Sequence, residues 1–130
     1  MSKALELVVC QLREYKFHLL WNGMAMLEWN HSGMEADGIM ENDPAAIGKM
    51  LYIMGREAAA AARYYGYEPD EVPGEETLVG YFRAAGLPWE FRTAAEAIAL
   101  ALQYGNDRDY KPQEQNGGMI DIDTLELKKN

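Results

Sequence analysis

Glu28-x-x-His31 is the one spacing in this sequence that suits a metal ion. Residues three apart on a helix share a face, so a carboxylate and an imidazole placed this way can chelate a divalent cation. Di-iron bundles use such a pair twice together with two further helical Glu residues, and no second pair is present. A small metal-dependent enzyme or sensor built on Glu28, His31 and His18 is therefore one reading of the chain. The other is an exposed Glu beside a His whose charge suits a helix C-terminus. A nucleophilic triad would have to combine Ser2, Ser32 or Cys10 with His18 or His31, and none of these stands in a recognisable turn. There is no His-Glu-x-x-His, Cys-x-x-Cys, Gly-x-Gly-x-x-Gly, Gly-x-Ser-x-Gly or phosphate loop ending in Gly-Lys-Ser/Thr. The expectation is a protein that is not an enzyme, with no catalytic residue, no metal and no cofactor. Cys10, the single cysteine, forbids an internal disulfide, fits a reducing compartment, and reads as a small buried hydrophobe inside an apolar run.

The 130 residues carry 12 Lys plus Arg against 21 Asp plus Glu, a formal charge of -9. Such a surface repels nucleic acid and anionic membranes, so neither is expected as a partner. No run is apolar for the roughly 20 residues that a membrane helix takes, and Glu6 interrupts the start too early for a signal peptide. The acidity is concentrated in two blocks. Glu28, Glu35, Asp37, Glu41 and Asp43 form the first, and Glu68, Asp70, Glu71, Glu75 and Glu76 the second, with no base inside either. Neither has the Asp-x-Asp-x-Asp-Gly order of a calcium loop. They read as solvated loops, or, if they share one surface at phosphate-like spacing, as an acidic inhibitor mimicking nucleic acid. Against them stands a basic row, Lys49, Arg56 and Arg63, spaced seven apart. It is either a solvated helix face or a face turned to the acidic loops, within one molecule or, as self-association, in a neighbouring copy.

The elements that must position these residues follow from periodicity. Leu5 to Leu12 is rich in β-favouring residues, Arg13-Glu14 can turn, and Tyr15, Phe17 and Leu19 alternate with Lys16 and His18, which predicts a β-hairpin. Asn22 is positioned to cap a helix from Gly23 to His31 that places Met24, Leu27 and His31 on one side and stops at Gly33. Met34 to Asn42 has no period and reads as a loop. Asp43-Pro44 is a strong helix start, and Ile47, Met50, Leu51, Met54, Ala58, Ala61, Ala62 and Tyr65 recur at three and four until Gly66. That helix, about 33 Å long, should organise the packing, with Ala58 to Ala62 permitting a close approach. A turn-rich acidic loop leads to a short helix from Thr77 to Ala85 that shows Leu78, Tyr81, Phe82 and Ala85. The last helix starts near Pro88 or at the capping box Thr93-Ala94-Ala95-Glu96 and closes at Gly105. The fold class is α+β: an N-terminal β-hairpin and a mainly helical bundle of about four helices, one domain over 1–105. Residues 106–130 read as a flexible polar tail with a short strand at 119–127.

The last helix is apolar most of the way round, with Phe91, Ala95, Ile98 and Leu102 on one face and Ala97, Leu100, Ala101 and Tyr104 on another. Such a helix is either central to the fold or partly covered by another chain. The candidate partner-binding residues are Tyr81, Phe82, Trp89, Phe91, Ile98, Leu102 and Tyr104, since large aromatic side chains supply much of the contact energy of interfaces.

Taken in order, the hairpin carrying Arg13-Glu14-Tyr15-Lys16-Phe17, the helix Met24-Ala25-Met26-Leu27-Glu28, the acidic linker, the long Ala-rich helix after Asp43-Pro44, the acidic loop and the Ala-rich helix from Ala94 to Gly105 form a pattern. It resembles the tail assembly chaperones of long-tailed, siphovirus-type bacteriophages and their prophage relatives over roughly Leu5 to Gly105. The resemblance implies a non-enzymatic role: binding the elongated tape measure protein, keeping it soluble, and helping tail tube subunits polymerise round it. It further implies a homo-oligomer acting in the cytoplasm of the bacterial host and left out of the finished virion. Such chaperones are often made in two lengths by ribosomal frameshifting, and Lys128-Lys129-Asn130 can be encoded as AAA AAA AAC, which contains a slippery heptamer.

Overall fold

Val8–Gln11 (β1) and Lys16–Leu19 (β2) pair antiparallel, with Val8 opposite Leu19 and Gln11 opposite Lys16. The Leu12 amide donates to the Tyr15 carbonyl at 2.7 Å and closes the Arg13-Glu14 turn. Alternation sends Val8, Cys10, Phe17 and Leu19 to the buried face and Val9, Gln11 and Lys16 outward. The computed structural model, which describes residues 7–108, thus has the predicted hairpin, followed by the predicted mainly helical bundle.

The helices are α1 (Gly23–Ser32), α2 (Asp37–Met40), α3 (Pro44–Tyr64), α4 (Glu75–Ala84) and α5 (Pro88–Arg108). Asn22 caps α1 by accepting from the Ala25 amide at 2.9 Å, and Gly33 ends it at φ 76°, a left-handed conformation that a β-carbon disfavours. The buried face of α1 differs from the expected one. Ala25 and Trp29 point inward, four residues apart, while Met24, Leu27 and His31 are exposed. Trp29 outweighs the thinner Met and Leu stripe because its ring removes the most apolar area from water. The expected loop at 34–42 contains α2, a single turn too short to show a period, held by burial of Ile39 and by the Asp43 amide donating to the Gly38 carbonyl at 2.8 Å.

The core is organised by α3, which packs against α1, α2, α4, α5 and β2. The Asp43 carboxylate accepts from the Ala45 amide at 3.0 Å and Pro44 sits at the helix start, as the sequence indicates. Close approach occurs at glycines of α3, and Ala58 and Ala59 of the alanine run are buried. A β-carbon on Gly48 would lie 2.5 Å from the Val79 side chain and 2.9 Å from its backbone nitrogen, so α4 rests directly on the α3 backbone. The Leu20 amide, just after β2, donates to the Met54 carbonyl in mid-helix at 3.0 Å, tying the sheet to α3.

The central helix is therefore α3, and α5 lies alongside, turning Ala94, Ala97, Ile98 and Ala101 inward towards β1 and α3. Gly105 does not close α5, which continues to Arg108. It is buried inside the helix because Trp21 crosses there: a β-carbon would meet the Trp21 carbonyl oxygen at 2.3 Å. The expected tail boundary at 106 falls within α5, and the expected strand at 119–127 lies outside the described residues. Among the described residues no helix is long and apolar enough to cross a membrane.

Candidate functional site

Among the described residues Glu90 has the most concentrated chemistry, and it was not among the residues that the sequence pattern singled out. It is the third residue of α5, fully buried at 0% exposure. Oε1 accepts from the Leu87 amide at 3.0 Å, the half of a capping box in which a carboxylate at the third position reaches back to the cap. Oε1 also takes the Arg13 guanidinium, with Nε at 3.0 Å and Nη2 at 2.9 Å. Oε2 accepts from the Arg13 amide at 2.9 Å and from the Tyr81 hydroxyl. Arg13 further donates to the Ala85 carbonyl, and its guanidinium lies 5.6 Å from the Tyr81 ring centroid. Edge-on contacts extend the cluster from Tyr15 to Tyr81 at 5.3 Å and from Tyr81 to Phe82 at 5.6 Å.

Burial alone would raise the Glu90 pKa, but hydrogen bonds from Arg13, Tyr81 and Leu87 outweigh it and hold the carboxyl down at about 2. The same bond raises Arg13. Burial first and the Glu90 carboxylate second raise Tyr81. Cys10 is pushed up to about 12 by burial, with the Glu90 charge adding to it, so its thiol stays protonated near neutral pH. A carboxylate surrounded by donors, with no exposed surface, does not take a proton from a substrate in this conformation. Its geometry is that of a lock joining the hairpin turn to the α4–α5 corner.

The residues proposed for partner binding divide by depth. Tyr81, Phe82 and Ile98 are 8%, 2% and 1% exposed and belong to the core, which removes them from any contact surface of the folded chain. They are inside because the inner face of α4 packs on α3 and the α5 stripe packs on β1 and α3. Phe91, Leu102 and Tyr104 are half-buried at its edge. Trp89 is 40% exposed, as is Leu87, with Leu100 at 41% and Met40 at 79%. Between α2 and the start of α5 lies an apolar groove of about 630 Å³, bounded by Met40, Pro88, Phe91 and Ala95 and edged by Arg92 and Glu96.

The basic row is answered largely within one molecule. Lys49 reaches Glu75 at 3.2 Å, and Arg56 binds Glu28 while lying 5.2 Å from the Tyr52 ring centroid. Lys49 and Arg56 thus take the within-molecule alternative, each meeting an acid of its own chain while staying partly exposed. Arg63 is exposed and makes no ion pair among the described residues. Two of the three residues of the metal reading, Glu28 and His18, are engaged in pairings, and His31 is exposed. Arg56 occupies Glu28, and His18 holds Asp70 Oδ2 through both its backbone amide and Nδ1 at 2.8 Å each. Burial would raise the Asp70 pKa, but the His18 bonds lower it overall. Among the described residues no group of three or more His, Cys, Asp or Glu could hold a metal ion. Of the two acidic blocks, Asp43 caps α3, Glu75 meets Lys49 and Asp70 meets His18, while Glu35, Asp37, Glu41, Glu68, Glu71 and Glu76 are exposed.

Comparison with protein families, with curated proteins and with solved structures finds no match.

Proposed function

We propose that this protein is a tail assembly chaperone of a long-tailed bacteriophage, a non-enzymatic binder of the tape measure protein that promotes tail tube assembly. Two things support the reading. One is the resemblance in element order, from the Arg13-Glu14 hairpin to the Ala-rich last helix. The observation that carries it is the apolar surface at the start of α5, where Leu87, Trp89 and Met40 stand outside a chain with a formal charge of -9. Exposed large hydrophobics rimmed by charge mark surfaces made to meet another protein. A groove bounded by Phe91 and Ala95 suits the apolar face of a long helical partner. In this reading the acidic surface keeps an adhesive protein and its insoluble client in solution in the host cytoplasm, and homo-oligomers form through surfaces that the monomer leaves open.

The test is co-expression with the protein of the very long reading frame expected downstream of the gene, itself expected downstream of a tail tube gene. The long protein should co-purify, and Trp89→Ala should weaken the complex at least about tenfold, equivalent to about 1.4 kcal/mol. Failure of the two wild-type proteins to associate would sink the function. Association that ignores Trp89→Ala would move the binding surface elsewhere.

A further inference from the structure

Three tyrosines crowd the C-terminal end of α3 and the turn after it. Tyr64, Tyr65 and Tyr67 are 83%, 54% and 63% exposed, and the Tyr64 and Tyr65 rings meet edge to face with centroids 5.0 Å apart. Beside them runs a groove of about 340 Å³ between the segment after β2 and the last turns of α3. Glu57, Ala60, Ala61 and Tyr64 fall at three- and four-residue spacing on one helix face, so the short alanine side chains leave a channel between a carboxylate and an aromatic ring.

Glu57 sets the charge of this channel. Its side chain is 13% exposed, and Oε1 accepts from Asn22 Nδ2 at 3.3 Å. The nearest cation, Arg56 Nη2, is 3.9 Å from Oε2 and already holds Glu28 more closely. The negative pole of the α3 dipole lies at the same end, and exposed Glu68 follows in the turn. Arg63 continues the Lys49 and Arg56 row, about 100° round the helix from Tyr64, and does not line the channel.

We propose that this groove receives a cationic amphipathic segment of a partner protein. The aliphatic stem of a Lys or Arg lies over Ala60 and Ala61 against the Tyr64 and Tyr65 rings, and its charged head meets Glu57. Long basic side chains bury their stems while keeping the head polar, and aromatic faces attract the cation. The groove lies at the opposite end of the 21-residue α3 from Met40 and Phe91, about 30 Å away, and does not depend on what binds there.

The experiment measures fluorescence anisotropy of labelled helical peptides with a Leu face and a second face of Arg, Gln or Glu, titrated with the full chain. The Arg peptide should bind, and the Gln and Glu peptides at least about tenfold more weakly. Tyr64→Ser with Tyr65→Ser should reduce Arg-peptide affinity about tenfold and Glu57→Gln about fivefold. Circular dichroism should confirm that the tyrosine variant, altered only at exposed rings, stays folded. Equal binding of the Arg and Gln peptides, or affinity untouched by the tyrosine changes, overturns the proposal. So does a wild-type dimer that the tyrosine changes dissociate, since the groove would then belong to a second copy.

Discussion

Glu90 shows how much one side chain can hold together. Glu90→Ala removes the acceptor of the Tyr81 hydroxyl, of two backbone amides and of a guanidinium at once. Leaving buried donors unpaired costs about 1–3 kcal/mol each, partly recovered by water at Arg13, whose side chain is 39% exposed. A net loss of about 3 kcal/mol in urea unfolding is expected. The pH dependence has a definite sign. The folded-state value of about 2 lies below the ordinary 4.5, so the folded state binds fewer protons, and the stabilisation is complete above pH 4.5. It is lost as pH falls from 4.5 through 2. Arg13→Met leaves the carboxylate without its cation, and acid unfolding should then begin at higher pH than in the wild type. An unchanged acid midpoint would show that Arg13 contributes nothing to that depression. The sequence offered Thr93 to Glu96 as the capping box of this helix, and neither the Leu87 to Glu90 bond nor the partner Arg13, 77 residues away, was legible in it.

At the scale of elements, the local signals were legible wherever local chemistry decides. The hairpin alternation, the Asn22 and Asp43 caps and the Gly33 stop all use neighbours within a few residues, and all are present in the fold. Gly105 was misjudged because a helix-stopping glycine and a glycine crossed by another element look alike in sequence. The two roles predict opposite outcomes for Gly105→Ala. In an uncrowded helix the change is favourable by up to about 1 kcal/mol. Against a Trp21 carbonyl 2.3 Å from the new β-carbon, it should instead destabilise by about 1–3 kcal/mol. Thermal unfolding distinguishes the two by sign alone. The inward face of α1 escaped prediction for a related reason: Met24 with Leu27 and Ala25 with Trp29 are both helical stripes, and only the surface of α3 selects between them.

For the whole molecule, depth separates aromatics that look equivalent in the sequence. Phe82→Ala should cost about 3–5 kcal/mol, because it empties a site that is 2% exposed between Tyr81 and Phe91. Trp89→Ala, at 40% exposure, should cost under about 1 kcal/mol. Comparable losses for the two would contradict the division between core and surface on which both binding proposals stand. Sequence alone determined the α+β class, the hairpin and the four longer helical segments, because hydrophobic period and capping chemistry act between near neighbours. The tertiary structure decided which apolar faces are covered, which of Lys49, Arg56 and Arg63 meet an acid, and that Glu90 is buried on Arg13. Those outcomes depend on residues distant in the chain meeting at distances of a few ångströms, and the spacing of residues along one element carries no record of what packs against it.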